Sequence, residues 1–209
     1  TPLYDGQFKP ARCIAWSPDG RYLASGSDDS MVTIWDAQAG SRVFTYSGHV
    51  GFVLCVAWSP GHGQYIASSG NDHTVQIWSA TSREQRALLT YKGHTLGVWS
   101  VVWSPDGTRI ASASQDGTVQ VWSALTGSLI ARHQVPSGKA ESVAWSPDGQ
   151  WIAGGCDNGT VQVWHAETGQ LKLSYQQQRH TIWSLGWSPD GTRIASASDD
   201  GTVQVWQAG

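Results

Sequence analysis

Short apolar runs separated by turn signals recur along the whole chain, and no window carries the spacing of an amphipathic helix. Trp99-Ser-Val-Val-Trp103 is mostly apolar, as expected of a strand covered on both faces. Ser104-Pro105-Asp106-Gly107 follows as a turn, with Pro setting φ and Gly accepting the close. Arg109 to Ser114, built of Ile, Ala and Ser, predicts a second strand. Asp116-Gly117 predicts a two-residue hairpin, and Thr118 to Trp122 a third strand. After Thr126-Gly127, Ser128 to Arg132 predicts a fourth. In the next copy this last strand alternates openly, Leu171, Leu173 and Tyr175 against Lys172 and Ser174. One of its faces is wet, so it is the outer strand.

The unit from Trp103 to Trp122 returns from Trp187 to Trp206 with Gln115 replaced by Asp199, and looser copies begin at Trp16, Trp58 and Trp145. A period of this size signals solenoids, propellers or arrays. Small residues at Ala111, Ser112, Ala113 and Ser114 let neighbouring units pack closely. The pattern predicts an all-β chain, a β-propeller of five four-stranded antiparallel blades. One domain spans residues 1–209, with repeats at 1–38, 39–81, 82–125, 126–167 and 168–209. The last blade lacks an outer strand after Trp206. Residues 1–5 are the segment available to complete it, since Tyr4-Asp5-Gly6-Gln7 aligns with Tyr91-Lys92-Gly93-His94. Pro2 cannot donate to a ladder, although an outer edge tolerates it.

Gly48-His49 and Gly93-His94, together with Trp35-Asp36 or a Trp at the equivalent blade end, resemble the WD-repeat β-propeller family over essentially the whole chain. There are departures. Trp78-Ser79, Trp122-Ser123, Trp164-His165 and Trp206-Gln207 replace the Trp-Asp pair, and Val135-Pro136 stands where Gly-His is expected in copy four. Copy five offers Arg179-His180, which fits only with a following loop two residues shorter. The resemblance implies that His94, Ser112, Asp116 and Trp122, and likewise His49, Ser68, Asp72 and Trp78, form structural hydrogen-bond networks inside blades. A Ser-His-Asp set is also the pattern of a nucleophile, but its duplication in adjacent blades favours scaffolding. Copy one has Gln7, Ser25, Asp29 and Trp35. Copy four has only Pro136, Gly154, Asn158 and Trp164, and is expected to be the loosest blade, because buried polar networks stabilise when fully satisfied.

Ten of the 13 tryptophans fall at two fixed repeat positions as packing residues, leaving Trp99, Trp151 and Trp183. The resemblance places Trp99 and Trp183 at the mouth of a central channel, where other repeats carry Arg12, Leu54 and Glu141. Nearby it places Pro10, Phe52, Gly97, Lys139 and Thr181, and, just before each hairpin, Asp28, Asn71, Gln115, Asp157 and Asp199. These positions differ in chemistry between near-identical repeats, as a binding face on a fixed scaffold would. Exposed Trp and Phe beside Arg and carboxylates suit a peptide hot spot. The alternative is a lectin-like propeller that stacks a small ligand on Trp99 and Trp183.

Composition narrows the partners. A net charge of −3 without basic clusters predicts no nucleic acid, and the lack of a long apolar run predicts no membrane span. The three cysteines, Cys13, Cys55 and Cys156, form no metal or disulfide pattern and read as buried residues of a reducing, cytoplasmic protein. No cofactor and no metal are expected. Asn158-Gly159-Thr160 matches a glycosylation sequon but falls in a hairpin turn. The carboxylates near the mouth do not compose a hydrolase pair, so the expected activity is non-catalytic binding of a protein or peptide. Blades shaped like those of larger rings should resist tightening to five, and unpaired edges template association. Pairing of two chains into one larger ring is therefore a further expectation.

Overall fold

A computed structural model describes residues 9–82, 84–136 and 138–209. Every regular element among them is a strand. The first sheet holds β1 (Ala11–Trp16), β2 (Tyr22–Ser27), β3 (Val32–Asp36) and β4 (Arg42–Tyr46). The second holds β5 (Val53–Trp58), β6 (Tyr65–Gly70), β7 (Val75–Ser79) and β8 (Leu89–Tyr91), and the third β9 (Val98–Trp103), β10 (Arg109–Ser114), β11 (Thr118–Ser123) and β12 (Leu129–Gln134). The fourth holds β13 (Ala140–Trp145), β14 (Trp151–Cys156), β15 (Val161–His165) and β16 (Leu171–Tyr175). The fifth has three strands, β17 (Ile182–Trp187), β18 (Arg193–Ser198) and β19 (Val203–Gln207). All pairings are antiparallel between chain neighbours. The segment expected to complete the fifth sheet, residues 1–5, lies outside the described residues, as does Gln7.

Each sheet is a meander because its turns are locally encoded. In Ser104-Pro105-Asp106-Gly107, the Ser104 hydroxyl donates to Asp106 and accepts the Arg109 N–H, while Gly107 takes φ 71°. Gly117 in the following hairpin takes φ 79°, but Ser30 and His73 hold the equivalent place at φ 70° and 66°, a region that disfavours side chains. The residue after the blade-end Trp accepts turn N–H groups whether or not it is Asp. Asp36 Oδ1 accepts the N–H groups of Gln38 and Ala39, Ser79 Oγ those of Thr81 and Ser82, and His165 Nδ1 those of Glu167 and Thr168. Any short acceptor there closes the turn. His165, which reads as a loop residue in the sequence, thus ends β15.

The sheets stand in a row, with β1, β5, β9, β13 and β17 as successive innermost strands. Small residues of one sheet receive large residues of the next: a Cβ on Gly26 would lie 2.6 Å from Val53, and one on Gly155 2.6 Å from Ile182. Indole N–H groups tie the strands together, from Trp58 to the Ala15 carbonyl at 3.0 Å, Trp103 to Ala57 at 3.1 Å and Trp187 to Ala144 at 3.3 Å. On the outside, the last strand of each sheet stacks a ring on the blade-end Trp of the next. Tyr46 stacks on Trp78, Tyr91 on Trp122, His133 on Trp164 and Tyr175 on Trp206, with centroids 4.4–4.8 Å apart. The row is not closed. Ile14 and Trp16 on the first sheet, and Val203 and Val205 on the last, remain exposed, whereas the residues equivalent to the latter pair, Val161 and Val163, are fully buried.

Candidate functional site

Five side chains that differ between repeats are aimed alike by one backbone device. Each first strand carries a bulge at its second residue, and these residues are Arg12, Leu54, Trp99, Glu141 and Trp183. The residue before each hairpin is then fastened to the start of the first strand. Asp28 N–H donates to the Pro10 carbonyl, Asn71 to Phe52, Gln115 to Gly97, Asp157 to Lys139 and Asp199 to Thr181, at 2.9–3.1 Å. The bulge re-aims a side chain out of the ladder, and the fastening holds all three positions of a repeat at one end of its sheet.

The chemistry at this end is uneven. Arg12 makes a two-pronged ion pair with Asp28, Nε to Oδ1 and Nη2 to Oδ2 both at 2.7 Å, and its guanidinium lies 6.0 Å from the Phe52 ring centroid. The bond from Arg12 holds the Asp28 carboxyl below the usual carboxylate range. Leu54 and Asp28 are buried, while Phe52 and Lys139 are exposed. Asn71 and Gln115 approach one another around Gly97, where a Cβ would sit 3.0 Å from the Asn71 side-chain oxygen and 3.6 Å from that of Gln115. Trp99 and Trp183 meet at 6.2 Å between centroids with their planes at 56°. Trp183 is 51% exposed and donates to Asp199 at 3.3 Å. Glu141 is buried, and burial raises its carboxyl above the usual range, with Asp157 adding to the rise and Lys139 opposing it. The face thus divides into an ion-paired side around Arg12 and an aromatic, acidic side around Trp99 and Trp183.

The network residues are brought together as bonded chains. His49 joins Asp72 at 2.8 Å and Ser68 at 2.8 Å, and Ser68 accepts the Trp78 indole N–H at 3.1 Å. His94 joins Asp116 at 2.9 Å and Ser112 at 2.8 Å, and Ser112 accepts from Trp122 at 3.2 Å. Burial alone would raise the Asp72 and Asp116 carboxyls. Their hydrogen bonds from His49 and His94, with those from Thr74, Thr118 and backbone N–H groups, hold both far below the usual range instead. Ser68 and Ser112 are fully buried and engaged on both sides, so no substrate carbonyl reaches either hydroxyl.

Two partners in this pattern were not singled out from the sequence. In the fifth sheet Gln178, rather than Arg179-His180, takes the histidine place. It accepts from Ser196 Oγ at 2.6 Å and donates to Thr202, while the Arg179 N–H donates to Asp200 as Val50 and Thr95 do to Asp72 and Asp116. Alignment on Arg179-His180 therefore slips the register by two. The stacked tyrosines are the second case: Tyr46, Tyr91 and Tyr175 also donate to Gln76, Gln120 and Gln204 at 2.5–2.7 Å. The recurrence of Gln two residues before the blade-end Trp in four of the five repeats was the available signal.

The family model described as the IFT122 first beta-propeller matches residues 11–209. This chain belongs to that WD-repeat β-propeller family. The propeller chain is also 36% identical over 58 residues to transcription initiation factor TFIID subunit 5 of Caenorhabditis elegans, covering 28% of this chain and 9% of that protein. It is 37% identical over 73 residues to the protein HIRA homolog of Drosophila melanogaster, covering 27% and 7%. It is 37% identical over 59 residues to the U3 snoRNP-associated protein-like YAOH of Oryza sativa subsp. japonica, covering 28% and 12%. The propeller chain therefore spans about a tenth of the length of these relatives. A hollow of about 400 Å³ at the opposite end of its innermost strands is lined by Trp58, Trp103, Trp145 and three turn prolines.

Proposed function

We propose that the propeller chain is a non-catalytic interaction scaffold that holds a peptide segment of a protein partner against its bulge-end face. One observation carries this reading. At the bulge end Trp183 stays half exposed against Trp99, with Asp199 exposed beside it and Phe52 and Lys139 exposed at the same end of their own sheets. The words "subunit" and "associated" in the names of two relatives describe members of assemblies and support it. Arg12, Asp28, Phe52, Leu54, Asn71, Gln115, Lys139, Glu141, Asp157 and Asp199 complete the proposed contact face, the buried Asp28 and Leu54 by backing it. A cytoplasmic setting, with no nucleic acid or membrane as partner, belongs to the same proposal. Intrinsic Trp fluorescence tests it: peptides selected on the protein should shift the emission, and Trp183→Ala should remove the shift. Saturable quenching by a monosaccharide panel, with peptides inert, would replace the reading with the lectin-like one.

The open row favours a second proposal, that another copy of this chain covers the end faces. Three indole N–H groups bond a carbonyl of the preceding sheet, while Trp16 is exposed. The equivalent carbonyl belongs to Gly186, which has nothing within 4 Å of its Cβ position. The faces match head to tail, and two copies meeting at both ends close one ring. Light scattering behind a sizing column should give about twice 22.5 kDa, and Val205→Asp should return the single-chain mass. A wild-type mass of 22.5 kDa at all concentrations sinks this second proposal.

A further inference from the structure

Two buried polar atoms at the bulge end have no hydrogen-bond partner among the described residues, Trp99 Nε1 and Glu141 Oε2. They occupy the same position on adjacent innermost strands, β9 and β13. Trp183 occupies it on β17, the strand on the other side of β13. The rings of Trp99 and Trp183 nevertheless touch, so they reach toward each other past the strand that carries Glu141. A buried carboxylate oxygen and a buried indole N–H are both costly when unpaired, and each calls for an explanation. Their chemistry is complementary to one kind of group: Glu141 needs a donor, Trp99 Nε1 needs an acceptor, and the two ring faces, tilted apart at 56°, attract a cation.

We infer that Trp99, Trp183 and Glu141 form a clamp for a cationic side chain of the partner peptide, a lysine or an arginine. The head group donates to Glu141 Oε2 and lies against the indole faces, and a carbonyl of the same peptide accepts from Trp99 Nε1. Asp157 and Asp199, at the hairpins behind Glu141 and Trp183, add negative potential at the entrance. Lys139 is the cation that acts on Glu141, and its charge only partly offsets the burial of that carboxyl. Arg12 cannot serve as an internal occupant, because both of its prongs are committed to Asp28. Because Glu141 lacks a donor, head groups that keep N–H bonds should bind better than quaternary ammonium groups, which offer the rings a charge but give the carboxylate nothing.

This inference rests on the proposed function, so the test separates the two. A random heptapeptide phage library is selected on the 209-residue protein, and recovered peptides are synthesised for calorimetry. The expected peptides share one Lys or Arg. Its replacement by norleucine or acetyl-lysine, and Glu141→Gln or Trp183→Ala in the protein, should each weaken binding at least tenfold. Trimethylation of the lysine should weaken it by a smaller factor. Glu141→Gln removes an unpaired buried charge, so its urea midpoint should stay level or rise while affinity falls, which a purely structural role does not produce. Peptides that need Trp183 but carry no shared cation overturn the clamp and leave the mouth reading standing. Peptides indifferent to both Trp183→Ala and Phe52→Ala overturn both, and so does a library that yields no binder.

Discussion

The second and third sheets solve the packing problem beneath their blade-end Trp with a polar chain, and the fourth sheet solves it with almost none. Under Trp122, His94, Ser112, Asp116 and Thr118 form a satisfied network. Under Trp164 the same four places are Pro136, Gly154, Asn158 and Thr160. A Cβ on Gly154 would lie 2.7 Å from the Trp164 ring, so the indole has settled into the space that a serine fills elsewhere. Val135 is buried beside it. Copy four was expected to be the loosest because it lacks this network. Replacing both partners by apolar groups nevertheless costs little, while removing one is expensive. What remains polar there is His133, which stacks on Trp164 where other sheets use Tyr, and whose Nε2 has no partner among the described residues.

The largest break in this comparison should come from His94→Ala. It strips Asp116 and Ser112 of their buried partner and should cost about 3 kcal/mol by urea unfolding. Pro136→Ala at the matching place should change stability by under about 0.5 kcal/mol. Equal losses would mean that the network contributes nothing special.

Acid should separate the sheets next. Burial pushes the His133 imidazole down to about 4, below its unfolded value of about 6.5. The unfolded chain therefore binds a proton that the folded chain refuses, and stability falls as pH drops from about 6.5 towards 4, by about 2 kcal/mol at pH 5. Asp72 and Asp116 act in a lower window. Their folded values are depressed, so their stabilisation is present above about pH 4 and is lost below it. His133→Tyr should erase the upper window and leave the lower one, as read by unfolding free energy at pH 7, 5 and 3.5.

Gly154→Ser comes third. It supplies the missing hydroxyl but forces Trp164 aside, and without a histidine to receive it the change should destabilise by about 1–2 kcal/mol. A gain in stability would show that the indole is free to return to the position seen in the third sheet. The smallest effect distinguishes the second sheet from the third. His73 adopts φ 66° where the third sheet has Gly117, so His73→Gly should raise the unfolding free energy by under about 1 kcal/mol.

Much of this was legible beforehand because it is local. Turn residues at Ser104-Pro105-Asp106-Gly107 and Asp116-Gly117 fix where strands end, and β10 spans the Arg109 to Ser114 expected for it. The membership of His94, Ser112, Asp116 and Trp122 in one chain of bonds was implied by the resemblance to WD-repeat propellers, and the bonds are present. The Gln178 substitution was missed because side-chain type, not spacing, was used to find the histidine place. A Gln offers a donor and an acceptor on one amide and can stand in for an imidazole.

The sequence by itself determined the strands, their meander order and the repeat, since each depends on residues within one turn or hairpin of each other. Tertiary structure alone decided how those sheets meet. It laid Tyr46, Tyr91, His133 and Tyr175 on the Trp of the following sheet, brought Trp99 to Trp183 past Glu141, and left Ile14 and Trp16 uncovered. Those contacts join residues some 30 to 84 positions apart, and their geometry depends on the angle accumulated from sheet to sheet. No local signal encodes that angle. It is set by how closely the small residues of one sheet let the large residues of the next approach.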